Sequence, residues 1–79
     1  MQNLNFLLSG RSQTGLTQIW EVRSVHTDVL LGQVRWYSQW RRYTFLPEGH
    51  MVFDAACLQE IAKFLDDQMA IRAQDPQQR

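Results

Sequence analysis

Leu4, Phe6 and Leu8 alternate with Asn3, Asn5 and Leu7, the period-two pattern of a strand with one buried face. Residues 9–15 are polar and rich in Gly and Ser, which predicts a loop or a wide hairpin connection, mobile or functional. Residues 17–25 read as a second strand, with Trp20 and Val22 on one side and Ile19, Glu21 and Arg23 on the other. His26-Thr27-Asp28 is the expected turn, because Asp and Thr hydrogen-bond their own backbone. Residues 30–37 and 40–46 give a third and a fourth strand, joined through Ser38-Gln39. Pro47-Glu48-Gly49 closes the fourth, since Pro cannot donate to a ladder and Gly accepts positive φ.

Loop lengths then propose a register. A three-residue loop at 26–28 pairs Trp20 with Val34 and Val22 with Gly32. A two-residue loop at 38–39 sets Tyr37 against Trp40, Arg35 against Arg42, Val34 against Tyr43 and Trp36 against Arg41, although Ser-Gln is not a favoured pair for such a turn. The two assignments agree on the faces. Trp20, Val22, Val34, Trp36, Tyr43 and Phe45 form an inner set. Glu21, Arg23, Gln33, Arg35, Tyr37, Trp40, Arg42 and Thr44 form an outer one, and a slip of one residue would exchange them. Arg41 is driven inward by this register, to snorkel outward at the end of the sheet or to meet Glu48 or the helix carboxylates.

From residue 54 the period changes to that of a helix. Asp54 suits an N-cap, and Phe53 with Leu58 has the spacing of a hydrophobic staple. Leu58, Ile61, Ala62, Leu65 and Met69 recur on one side, widened by Cys57 and Phe64, while Glu60, Lys63, Asp66 and Asp67 are placed outside. This helix is the one available cover for the inner sheet face, and it places Trp36 beneath it. The expected fold is therefore α+β: a three- or four-stranded antiparallel meander with one C-terminal helix packed on one face. Residues 1–73 make a single domain, and residues 74–79 a flexible tail with nothing to bury.

Composition sharpens this reading. A chain of 79 residues with one cysteine has no internal disulfide, and no Cys/His cluster suggests zinc. Three Trp, four Phe and two Tyr supply the core instead. Net charge is zero, which argues against a generic polyanion binder, yet the charge is uneven. Between Trp20 and Phe45 the bases Arg23, Arg35, Arg41 and Arg42 exceed the acids Glu21 and Asp28. From Asp54 onward Asp54, Glu60, Asp66, Asp67 and Asp75 exceed Lys63, Arg72 and Arg79. No apolar run is long enough to span a bilayer, and the N-terminal residues do not read as a signal peptide. The expectation is a cytoplasmic protein with no membrane association.

The run Gly32-x-Val34-Arg35-Trp36-Tyr37-x-x-Trp40-Arg41-x-Tyr43-x-Phe45-x-Pro47, followed by Phe53, Cys57-Leu58, Ile61-Ala62 and Phe64-Leu65, resembles a pattern found in small uncharacterised proteins of bacteriophages and prophages. The resemblance covers about half of the chain and implies a phage or mobile-element origin, with no particular activity attached.

Catalytic constellations are not evident. His26 and His50 fall in turns without a neighbour to orient them. Cys57 lies in the first helical turn, where the dipole favours a thiolate, but also beside the apolar stripe. Asp66 and Asp67 point about 100° apart as adjacent helical residues, and neither Gly10 nor Gly15 sits in a phosphate-binding loop. The expectation is a binding protein rather than an enzyme, without cofactor or metal. Arg23, Arg35, Tyr37, Trp40 and Arg42 interleave cations with aromatics on the outer face. Three readings stay open for them: cation–π contacts over a Tyr37–Trp40 cross-strand pair, with Glu21 offsetting the Arg35–Arg42 opposition; a protein-binding patch; and a single-stranded nucleic-acid surface. Ile19 and Leu31 add apolar area to this uncovered face, so a structural homodimer is a further possibility. A host or phage protein is the favoured partner.

Overall fold

The alternating and helical patterns become four strands and one helix, β1 (Leu4–Arg11), β2 (Gln18–Ser24), β3 (Leu30–Tyr37), β4 (Arg42–Pro47) and α1 (Ala55–Gln74). The computed structural model describes residues 2–74, so residues 75–79 of the expected tail lie outside the described residues. Gln74, assigned to that tail, closes the helix. The strands form one antiparallel sheet in the order β1-β2-β3-β4, a meander of neighbours in sequence. The helix packs on a single face, which makes the fold α+β.

β1 is longer than its alternation suggests. It continues through Arg11, and a bulge between Leu8 and Gly10 takes up Ser9 as an extra residue. The polar stretch expected to be wholly loop is thus partly strand. The remaining connection is closed by Ser12 N–H donating to the Thr17 carbonyl at 2.9 Å, with Gly15 at φ 74°.

Both following hairpins turn through four residues, and both end that turn at positive φ. In the first, Asp28 N–H donates to the Ser24 carbonyl at 2.9 Å and Asp28 has φ 59°. In the second, Arg41 N–H donates to the Tyr37 carbonyl at 2.8 Å and Arg41 has φ 57°. The expected three-residue loop is therefore one residue too short. A register shift between Val22 and Arg23 compensates, so Trp20 still faces Val34 and Val22 still faces Gly32. The second loop is two residues longer than expected, and its register moves by two: Tyr37 faces Arg42, Trp36 faces Tyr43, Arg35 faces Thr44 and Val34 faces Phe45. A shift of two keeps each side chain on its face. The individual cross-strand pairs change, and Arg41 sits exposed in the turn instead of pointing inward.

Inside, Leu4, Trp20, Val22, Val34, Tyr43 and Ile61 are buried. Trp20 lies edge-on to Tyr43 at 5.3 Å and to Phe64 at 5.2 Å, and Phe64 stacks on Phe6 at 4.1 Å. Each such pair adds about 0.5–1.5 kcal/mol beyond its buried area. The Tyr43 hydroxyl, carried into the core, accepts the Gln18 N–H at 3.3 Å. Trp36, expected wholly beneath the helix, is only half-buried; it meets Tyr43 edge-on at 5.3 Å and lies under the Arg72 guanidinium at 4.2 Å.

Asp54 caps α1 as its chemistry predicts, with Oδ1 accepting the Cys57 N–H at 2.9 Å. The helix is rotated relative to the expected stripe. Leu58 is 52% exposed and Ala62 is exposed as well, while Phe53, the expected staple partner of Leu58, packs edge-on against Phe45 at 5.4 Å. Glu60 is half-buried and turned to the start of β1, not directed outward. Its carboxylate accepts the Asn3 N–H at 2.9 and 3.1 Å, the Asn3 side-chain amide at 2.8 Å and the Leu4 N–H at 3.1 Å. That grip on the start of β1, together with the Phe64 stack on Phe6, fixes the rotation and leaves Cys57, Ile61, Phe64, Leu65 and Met69 facing the sheet.

Candidate binding face

Since α1 covers the inner face, the outer face carries whatever the strands place there. Alternation along β2, β3 and β4 puts Ile19, Glu21 and Arg23, then Gln33, Arg35 and Tyr37, then Arg42, Thr44 and Leu46 on this side. Between β3 and β4 it forms an open depression of about 460 Å³ lined by Arg35, Trp36, Tyr37, Trp40, Thr44, Phe45 and Leu46.

The depression has an aromatic wall. Trp40 comes from the four-residue turn and not from β4, so it is not the cross-strand partner of Tyr37. The turn nevertheless folds it back edge-on to Tyr37, with ring centroids 5.0 Å apart. The Tyr37 hydroxyl donates to Gln39 Oε1 and Trp40 N–H donates to the Tyr37 carbonyl at 3.2 Å, which fixes the turn against the ring. Trp40 remains 65% exposed. Thr44 Oγ1 donates to the Arg35 carbonyl at 3.2 Å and sits on the floor.

Charge is divided on this face. Arg23 Nε pairs with Glu21 Oε1 at 3.0 Å, and Arg23 Nη1 donates to the Asp28 carbonyl at 2.9 Å. Glu21 is thus engaged by its own strand and does not offset Arg35. Arg35 and Arg42 are exposed, and among the described residues no carboxylate pairs with either. The register change moves them from direct opposition to a diagonal relation, where cross-strand neighbours lie about 7–8 Å apart. The observed cation–π contact belongs to the other side of the sheet, where Arg72 covers Trp36.

Of the five residues singled out from the sequence, Arg35, Tyr37 and Trp40 line the depression. Arg42 is beside it on the same face, opposite Tyr37, and also borders a second groove of about 450 Å³ between β4 and α1. Arg23 stands on β2, held by Glu21. Leu46 also lines the depression, as the alternation Arg42, Thr44, Leu46 signals, while Trp36 and Phe45 border it from positions whose rings pack on the inner side.

Elsewhere the chemistry is quiet. Partial burial and the neighbouring Asp54 carboxylate push the Cys57 thiol up, opposite to the shift that creates a nucleophile. His26 and His50 are exposed in turns. Among the described residues no helix is long and apolar enough to cross a membrane. No family model, curated protein or solved structure matches the chain.

Proposed function

We propose that this chain is a small accessory protein of phage or prophage type, working in the host cytoplasm, that binds a partner protein through the outer face of β3 and β4. The observation that carries this reading is the Tyr37–Trp40 wall, exposed beside two arginines that no carboxylate among the described residues pairs with, on a face that α1 does not cover. Trp, Tyr and Arg are the residue types that dominate binding energy at protein interfaces. The matching ligand is a segment with an apolar or aromatic side chain to rest against Trp40 and acidic groups to meet Arg35 and Arg42.

The second reading is single-stranded nucleic acid on the same face, with Tyr37 and Trp40 stacking bases. Two exposed arginines and a face that also carries Glu21 make a short phosphate track, which ranks it below a protein ligand. Salt separates the two, because phosphate-driven binding falls log-linearly with salt concentration while an aromatic-anchored protein contact changes little.

The test is the double variant Arg35→Glu with Trp40→Ala. Both side chains are exposed, so the fold is expected to survive, as far-UV circular dichroism would report. In parallel captures from native host lysate, with and without nuclease, the parent protein is expected to retain a salt-tolerant protein that the variant loses. Retention of the same protein by the folded variant would remove this face as the site. Nuclease-sensitive, salt-sensitive capture would move the assignment to nucleic acid.

A further inference from the structure

The two edges of the sheet are finished differently. On β4 the Tyr43 N–H donates to Met69 Sδ at 3.4 Å, and Pro47 has no N–H to offer. Both are means of blunting an edge. β1 is blunted only at its two ends, by the Glu60 bond to Leu4 and by the bulge at Ser9; from Asn5 to Leu8 it carries no charged residue and no proline. Its hydrogen-bonding phase can be followed residue by residue. Val25 N–H donates to the Asn3 carbonyl at 3.0 Å, which turns that carbonyl toward β2, while the Asn3 N–H, just ahead of the strand, goes to Glu60. Ser24, opposite Leu4, gives its own N–H to Val29 on the β3 side, so by alternation Asn5 and Leu7 are the residues bonded to β2. Leu4 N–H points the other way, to Glu60. Phe6 and Leu8 share that phase, so their N–H and C=O groups face the side where β1 has no neighbouring strand.

The side chains next to this edge form a knob and a hole. Leu8 lies on the inner side opposite Trp20, yet it is 59% exposed. Close by, a groove of about 390 Å³ opens between β1 and α1, floored by Phe6 and Phe64 and rimmed by Lys63 and Asp67. We infer that β1 pairs antiparallel with β1 of a second copy, with Phe6 opposite the other chain's Leu8 and Leu7 opposite Leu7 on the two-fold axis. Residues directly opposite one another share a face, so each Leu8 enters the groove beside the other copy's Phe6. Both Phe6–Leu8 pairs exchange backbone hydrogen bonds, and the contact is isologous.

The surrounding structure selects this register. Centring on Phe6 would require the Leu4 N–H, which Glu60 already holds. Centring on Leu8 would run into the bulge at Ser9, after which Gly10 turns toward β2. A second copy suits the edge because an uncharged strand meets itself without repulsion, and because the knob and the groove belong to the same chain.

Sedimentation of the intact protein tests the pairing. A short strand seam belongs with weak interfaces, so the mass is expected to rise from 9.3 kDa toward twice that value over a range on the order of 10 µM to 1 mM. Leu7→Lys places like charges directly opposite each other across the seam, and Leu8→Lys drives an ammonium against the other copy's Phe6. Each replaces an exposed side chain and should weaken dimerisation by about tenfold or more. Trp40→Ala should leave it unchanged. Far-UV circular dichroism confirms that each variant is folded. A single chain at every concentration would overturn the inference, and so would a dimer that survives both leucine variants or dissolves in Trp40→Ala.

Discussion

Only a hydrogen atom fits on the inner side of residue 32. A Cβ built at Gly32 would meet the Leu46 carbonyl oxygen, with two ring carbons of Phe45 at 2.7 Å. The oxygen belongs to the β3–β4 ladder and cannot retreat without loosening it, while the Phe45 ring is held from beyond by Phe53. Gly32→Ala is therefore expected to cost about 1–3 kcal/mol by overpacking, read as a lower urea midpoint. An unchanged midpoint would mean that Phe45 is free to swing away. The tryptophans make a complementary comparison. Trp20 is buried among Tyr43 and Phe64, so Trp20→Ala should remove about 3–5 kcal/mol, most of the stability of a domain this small. Trp40→Ala, at an exposed ring, should change the midpoint far less. Equal losses would place Trp40 in the core and contradict the outer-face assignment.

At the scale of elements, the strands, the helix and the two sheet faces are legible in the sequence, while the loop lengths and the buried side of the helix are not. Faces follow from a period of two, and Val22, Val34 and Tyr43 fall on the buried side under any even shift of register. Loops hide their length when the residue that completes them is atypical. Asp28 suits positive φ; Arg41 does not announce it, and Trp40 looked like a strand residue because it is aromatic. The same misreading obscured the candidate site, since Trp40 joins Tyr37 through a turn, while Leu46 enters through a register the loop had concealed. Glu60 was placed outside because charge at helical spacing signals solvent; nothing local marks a carboxylate that caps another strand. The turn supplies a prediction. A left-handed residue with a Cβ costs about 1–2 kcal/mol, and glycine's greater unfolded-state freedom returns about 0.5–1 kcal/mol of that. Arg41→Gly should therefore stabilise the protein by roughly 0.5–1 kcal/mol, measured by urea denaturation; a loss would show that the arginine side chain contributes more than its backbone strain removes.

Taken as a whole molecule, the helix is fastened at both ends by polar contacts that the apolar stripe does not supply. Arg72 closes the C-terminal end, donating to the Leu16 carbonyl at 3.2 Å and covering Trp36. Glu60 and Asp54 hold the N-terminal half, and both are acids that must be ionised to do so. For Glu60, partial burial raises the pKa, but the Asn3 and Leu4 donors outweigh it and hold the carboxyl below its ordinary value. For Asp54, the Cys57 N–H does the same. A carboxyl whose folded pKa is depressed contributes stability that is complete above its unfolded pKa and is lost as pH falls through the folded one. Stability should thus be level from neutral pH down to about 5 and decline below about 4.5, near the ordinary glutamate value. Glu60→Gln isolates the Glu60 share. The amide oxygen retains one weaker acceptor, so the variant should lose about 1 kcal/mol at neutral pH and show a shallower acid limb. Urea midpoints of the two proteins should converge as pH falls, because protonation removes from the parent what the substitution has already removed from the variant. Parallel, offset curves would mean that the Glu60 contribution does not depend on its charge, and coincident curves would mean that its grip on β1 contributes nothing and that the rotation of α1 is fixed by Phe64 alone.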